Sequence, residues 1–198
     1  MKKITIFTLA VMLLAACKKD MKEMRSNAMV PADLVSKKNA ESAKATSPMK
    51  VDFYSSVNAA SPALACTLPG VPFGIANSGY FLHGNATHFG LIDSETSMGQ
   101  DGSCNLSAST FILSTTTAGQ IVAANGDKIT YTGSDEIDLN NIIFHAGTTA
   151  TITGVWTITG GTGRFDGASG SFTISGIVDV TTAGGPTFSI TGEGTITY

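Results

Sequence analysis

Towards the C-terminus apolar residues recur at every second position. In Thr149–Thr159 one face carries Ala150, Ile152, Gly154, Trp156 and Ile158, while the other is threonine except at Val155. Ser169–Val180 repeats the pattern with Gly170, Phe172, Ile174, Gly176, Val178 and Val180. Pro186–Tyr198 does so with Phe188, Ile190, Gly192, Gly194, Ile196 and Tyr198. A period of two with β-branched residues on the wet face predicts half-buried antiparallel strands. Asn125-Gly126, between Gln120–Ala124 and Asp127–Thr132, is a strong hairpin signal. Further strands are expected at Val51–Val57, Gly79–Phe89 and Ala108–Thr116, and no segment carries a convincing helical stripe.

Seven or eight strands can build a sandwich or a barrel. Gly84, Gly154, Gly176 and Gly192 fall in the middle of the apolar faces. Glycine weakens a strand unless a bend or close approach needs it, and inward glycines let a small sheet curve shut. The expectation is one closed antiparallel barrel with its apolar face inward. A membrane-spanning barrel would need that face outward, between aromatic girdles.

The run Gly160-Gly161-Thr162-Gly163-Arg164-Phe165-Asp166-Gly167-Ala168-Ser169-Gly170 invites a phosphate-binding reading, which it fails. A dinucleotide fingerprint starting at Gly161 would need glycine at Asp166, and a P-loop would need a lysine where none follows Lys128. The next segment has strand period, so no helix N-terminus waits for an anion. The run turns a corner, with Arg164 and Asp166 flanking Phe165 as a bracing pair.

Its spacing Gly-Gly-Thr-Gly-x-Phe-x-x-Ala-x-Gly resembles the motif shared by allene oxide cyclases and dirigent proteins. Gly84-Asn85-Ala86-Thr87-His88-x-Gly90, Ala124-Asn125-Gly126-Asp127 and the terminal Gly194-Thr195-Ile196-x-Tyr198 resemble small bacterial secreted proteins with that barrel. The resemblance implies an eight-stranded antiparallel barrel of lipocalin-like type, whose cavity in the plant relatives holds a small apolar or phenolic molecule. It also implies a homo-oligomer, since the plant subunits form trimers. The glycine motif is structural in that family. The family's pocket carboxylates and amides do not align to numbered positions here, so its activity does not carry over.

The first residues carry a different instruction. Lys2 and Lys3 precede the uncharged run Ile4–Ala16, too short to span a bilayer, which ends in Leu14-Ala15-Ala16-Cys17. This resembles a bacterial lipobox, so residues 1–17 are expected to be a signal peptide and Cys17 a lipidated first residue of the mature chain. Lys18 in place of an aspartate favours an outer membrane. The partner so implied is the bilayer, held through the acyl chains of Cys17. Lys18–Lys50 has eight basic and four acidic residues and few aromatics. It reads as a flexible tether with a reach of about 30 Å.

Residues 51–198 reverse that balance, with Lys128 and Arg164 against eleven acids. A net charge of −9 repels phosphate backbones and argues against nucleic acid. In an oxidising compartment a bridge between Cys66 and Cys104 is allowed and would contribute up to about 4 kcal/mol, two buried thiols being the alternative. Asp135, Glu136 and Asp138, with Asn140 and Asn141, read as a solvated acidic loop, lacking the glycine and bidentate acid of a Ca²⁺ site. No metal or cofactor is expected.

If the barrel is hollow, His88, Trp156, Phe172 and Phe188 line its pocket. His88, on paper inward with Leu82, Gly84 and Ala86, is a weak catalytic candidate, and packing is the first role of Trp156. His83 points the other way and His145 is isolated. With little else to move a proton, binding of a small apolar ligand or a scaffold role outranks an isomerase or cyclase resembling allene oxide cyclase.

Overall fold

The computed structural model describes residues 44–66, 73–75, 77–182 and 184–198. The signal peptide, Cys17 and most of the tether lie outside them. The strands are β1 (Thr46–Val57), β2 (Leu64–Cys66), β3 (Phe73–Ile75), β4 (Gly79–Ala86), β5 (Gly90–Leu91), β6 (Met98–Leu106), β7 (Ile112–Val122), β8 (Lys128–Asp138), β9 (Thr149–Thr162), β10 (Ser169–Asp179) and β11 (Thr187–Thr197). One short helix, α1 (Asn140–His145), follows β8.

Neighbours run β1-β11-β10-β9-β8-β7-β6-β4, and β4 pairs back onto β1. All these pairings are antiparallel, so eight strands close a ring. Closure leaves the ring without a free edge. β5 is a spur on β4, and β2 and β3 form a separate hairpin.

The alternation reads directly onto the ring. Ile152, Trp156, Phe172, Ile174, Ile190 and Ile196 are buried, whereas Thr151, Thr153, Thr157, Thr173 and Thr191 are exposed. At Gly154 a Cβ would collide with the Asp135 carboxylate, so this inward glycine serves a close approach as well as curvature.

Several boundaries differ from the sequence reading. β1 opens at Thr46, not Val51, because Thr46–Lys50 pair with Glu193–Thr197. The segments read as Ala108–Thr116 and Gln120–Ala124 are one strand, β7, since Thr117–Gly119 stay paired with Tyr131–Gly133. β6 was missed altogether. It contains a bulge between Asp101 and Ser103 that breaks its period, and an extra residue of this kind moves the following side chains to the other face. Asn125-Gly126 does turn the chain from β7 into β8, with Gly126 at φ +88°.

Phe165, at the end of the 3-10 turn Gly163–Phe165, closes one end of the lumen. It is fully buried, stacked on Phe89 at 4.3 Å between centroids and edge-on to Tyr198 at 5.1 Å. Met49, Ile121, Ile129, Ile158 and Ile196 belong to the same core. A smaller cluster of Cys66, Cys104, Leu106 and Leu113, with Leu64, Ile75, Ile137 and Leu139 against it, joins the β2–β3 hairpin to the ring.

Candidate ligand-binding site

The opposite end of the lumen holds a cavity of about 260 Å³. Its walls are mostly apolar: Leu113 of β7, Ile137 of β8, Ile152 of β9, Val178 of β10, and Phe188 and Ile190 of β11. Asn77, Val180 and Pro186 come from connecting segments and Ile75 from β3. Polar groups line it too: Ser78 beside Asn77, and Tyr80, Asp101, Thr115 and Asp135 from the strands.

Asp135, Asp101 and Tyr80 are each held inward by local contacts. Asp135 occupies the inward parity of β8 with Ile129, Tyr131 and Gly133, is 5% exposed, and accepts a hydrogen bond from Trp156 Nε1 at 2.9 Å. Asp101 is the inward residue of β6 just before the bulge, its backbone N–H donating to the Ser78 carbonyl at 2.8 Å. Tyr80 shares hydrogen bonds with Thr117 Oγ1 at 2.6 Å and with the Tyr131 hydroxyl at 3.3 Å. Tyr131 stacks on Trp156 at 4.4 Å. Glycines make room for these large rings. A Cβ at Gly99 would lie 2.5 Å from the Tyr80 and Tyr131 hydroxyls, and one at Gly133 2.5 Å from Trp156.

Burial dominates the electrostatics. Loss of water raises the Asp101 carboxyl to about 7, with repulsion from Asp135 adding to it. Asp135 rises to about 6 for the same first reason, opposed by the Trp156 hydrogen bond. Desolvation raises both tyrosines as well, so they stay protonated and can donate. Two carboxyl groups titrating near neutrality in one apolar cavity can bind a proton, donate one, or face a cation.

The structure places the expected pocket residues unevenly. Trp156 and Phe188 line the cavity. Phe172 is inward but packs edge-on against Trp156 at 5.7 Å, outside the cavity lining. His88 is not inward. β4 ends at Ala86, and His88 sits in the following turn at φ 72°, its Nε2 donating to the Pro48 carbonyl at 3.0 Å. His83 faces outward against Ser56 Oγ at 2.8 Å, stacked on Tyr54. His145 is exposed on α1.

Asp135 and Glu136 are in β8, not a loop, and Asp135 shares the cavity lining with Asp101 of β6. The signal for Asp135 lay in its place on the parity of Ile129, Tyr131, Gly133 and Ile137. Arg164 pairs with Asp127 at 3.6 Å rather than with Asp166, and its guanidinium covers the Phe165 ring at 4.8 Å. Gly160 and Gly161 lie just before the end of β9 at Thr162, Gly163 (φ +64°) opens the corner, and Gly170 lies in β10. Cys66 and Cys104 form a disulfide, with Cα atoms 4.7 Å apart. Among the described residues no group of three or more His, Cys, Asp or Glu could hold a metal.

A larger furrow winds round the outside of the ring. One bank is the ladder Asp52–Thr191–Ser175–Thr153–Glu136, the other Lys50–Glu193–Thr173–Val155–Ser134. These side chains point into solvent and the floor between them is backbone, so nothing there encloses a ligand.

No protein-family model matches the chain, and a search of curated proteins finds no match. Among solved structures, a pterocarpan synthase dirigent protein is similar over 79% of this chain and 87% of its own, with 13% identity and a TM-score of 0.37. At those values the likeness carries no argument about this site.

Proposed function

We propose that the barrel binds a small, mainly apolar molecule at its open end. The observation that carries this reading is the cavity itself: about 260 Å³ that side chains do not fill, in a lumen otherwise packed with large ones. The volume lies just under the usual range of about 300–1,000 Å³ for ligand sites. Since a dry cavity of roughly 150 Å³ accepts benzene, it suits about ten non-hydrogen atoms. The test is thermal unfolding with indole as the probe, because a ligand that binds only the folded state raises Tm. The wild type should respond, and Ile152→Trp, which fills the cavity, should not. Equal responses would leave the cavity without a role.

A second reading, acid–base catalysis on such a molecule, is favoured by one observation. Asp101 and Asp135, raised to about 7 and 6, line the same cavity as the Tyr80 hydroxyl. Groups poised near the working pH are suited to proton transfer. An isomerase or cyclase of this kind would lose turnover in Asp135→Asn and keep it in His88→Ala, and the cavity restricts its substrate to small molecules.

The proposal places this barrel on the cell envelope, on the outer membrane, held by acyl chains on Cys17 and a basic tether. Leu14-Ala15-Ala16-Cys17 and Lys18 support that placement. Mass spectrometry of the mature N-terminus decides it: an unmodified residue in a soluble fraction would remove the anchor.

A further inference from the structure

The cavity contains acids without a base. Asp101 and Asp135 both line it, and among the described residues no lysine, arginine or histidine does. The four Lys and Arg side chains of the described residues are engaged elsewhere. Lys50 pairs with Glu193 at 2.8 Å and Arg164 with Asp127 at 3.6 Å. Lys128 donates to Gln120 Oε1 at 3.2 Å and Lys44 to the Gly167 carbonyl at 2.6 Å. Among the described residues, no side chain donates to Asp101, and Asp135 has the Trp156 N–H. An ionised carboxylate in apolar surroundings needs a counter-charge or a proton.

The walls and the acids occupy different depths. Along β8 the inward residues run Tyr131, Gly133, Asp135, Ile137, towards the open end. Each step of two residues advances about 6.6 Å along the strand. A ligand entering past Val180 and Pro186 therefore meets apolar walls first and carboxyls further in, beside the aromatic rings of Trp156 and Tyr80. Aromatic faces and carboxylates are both favourable for a cation.

Resting on the binding function proposed above, we infer that the cavity selects a small organic cation. Its ammonium nitrogen is placed against Asp101 and Asp135, and its apolar body against Ile137, Ile152 and Phe188. The ligand class is an arylalkyl amine of about ten non-hydrogen atoms, as many as about 260 Å³ accepts. Loss of water raises the two carboxyls to about 7 and 6, so protons neutralise them below those values when no cation faces them. The bound ammonium takes over that role and holds both ionised. A neutral ligand offers the ionised acids no counter-charge, and an anion is repelled.

The groups facing the acids across the lumen are Tyr80 of β4, Thr115 and Thr117 of β7, Tyr131 of β8 and Trp156 of β9. None of them is ionised between pH 5 and 8. β10 and β11 present Val178, Phe188 and Ile190. The pH dependence of binding therefore belongs to the acid pair.

Trp156, the single tryptophan of the chain, reports from the cavity wall. Its fluorescence is titrated in the full chain, in detergent, with 2-phenylethylamine, 2-phenylethanol and 3-phenylpropanoate. At pH 8 the amine should bind at least tenfold more tightly than the alcohol, and the carboxylate should not bind. Affinity for the amine should rise with pH through the window from 6 to 7 and the preference should fade at pH 5. Asp101→Asn and Asp135→Asn should each cut that preference, read as the ratio of the two Kd values, to a few-fold. Calorimetry of the wild type at pH 6.5, in buffers of different ionisation enthalpy, should show protons released as the amine binds.

An alcohol that binds as tightly as the amine at pH 8 overturns selectivity for a cation and leaves the apolar binding site standing. Affinity for the amine that falls as pH rises, or proton uptake on binding, overturns it in favour of a proton-donating pair. If none of the three probes binds, the binding function fails along with it.

Discussion

The two ends of one lumen are built by the same strands and used in opposite ways. At the closed end Phe165, Phe89, Met49, Ile129 and Ile196 meet with almost no exposed surface, and a 3-10 turn stoppers the ring. At the open end the inward positions of β6 and β8 carry Asp101 and Asp135, and a cavity remains. Alternation decides only which side chains point inward. Whether an inward position packs the core or builds a site depends on its neighbours, and here on glycines that let Tyr80, Tyr131 and Trp156 lie across the lumen. Stability should therefore reside at one end, and pH sensitivity at the other.

The largest effect is expected from removing the stopper. Phe165→Ala deletes a fully buried ring that contacts two other aromatics, and such truncations cost about 3–5 kcal/mol. Phe188→Ala, at the half-buried wall of the cavity, should cost about 1–2 kcal/mol, because its surroundings are already partly vacant. Urea unfolding of the two variants measures the difference. Equal losses would erase the distinction between the ends.

Next comes the link between Cys66 and Cys104, which fastens the β2–β3 hairpin to β6 beside the cavity. The double variant Cys66→Ser, Cys104→Ser should lower stability by at most about 4 kcal/mol on the chain-entropy account. Because Ile75 of that hairpin lines the cavity, ligand-induced shifts in Tm should weaken in the same variant. Unchanged ligand shifts would mean that the hairpin contributes nothing to the site.

The strands from β9 to β11 were legible in the sequence because Trp156, Phe172 and Ile190 repeat without interruption. The site was harder to see, and for three separate physical reasons. Asp101 sits beside a bulge, which changes parity within β6, so no fixed period can assign its face. Asp135 breaks the apolar alternation of β8 with a charge, and a charged cluster beside Glu136 and Asp138 imitates a solvated loop. His88 continues the parity of Ala86 on paper, but the chain has already turned, and its φ of 72° removes it from the strand. Inward glycines at Gly99, Gly119 and Gly133 were the available clue, since residues without side chains in adjoining strands leave room for large ones nearby.

A smaller effect separates the ends by pH. In the unfolded chain both aspartates titrate near 3.8, and in the folded state they rise to about 7 and about 6. Folding therefore favours the protonated forms. That contribution is complete below about pH 4 and is lost as pH rises through 6 and 7. Taking the two values as the successive steps of the pair, the native state should be about 4 kcal/mol more stable at pH 5 than at pH 8. Asp101→Asn with Asp135→Asn should flatten the dependence and raise stability at pH 8, since asparagine at 135 can still accept from Trp156. Stability that increases from pH 5 to pH 8 in the wild type would contradict the burial of the pair.

The smallest effect belongs to the outer wall, and it tests whether charge matters only inside. Lys50 and Glu193 face each other across β1 and β11 at 2.8 Å, both side chains more than 70% exposed. The pairing raises the lysine and lowers the glutamate, through their hydrogen bond first and their opposite charges second. Water screens such a pair, and holding two long side chains in one geometry costs entropy, so exposed ion pairs contribute little or nothing measurable. Glu193→Gln should leave Tm unchanged at pH 7 and at high salt, and should not alter the pH profile of stability. A clear, salt-sensitive loss in Tm would show that the outward ladder helps to hold the ring closed, and the contrast between a charged interior site and an inert outer wall would have to be withdrawn.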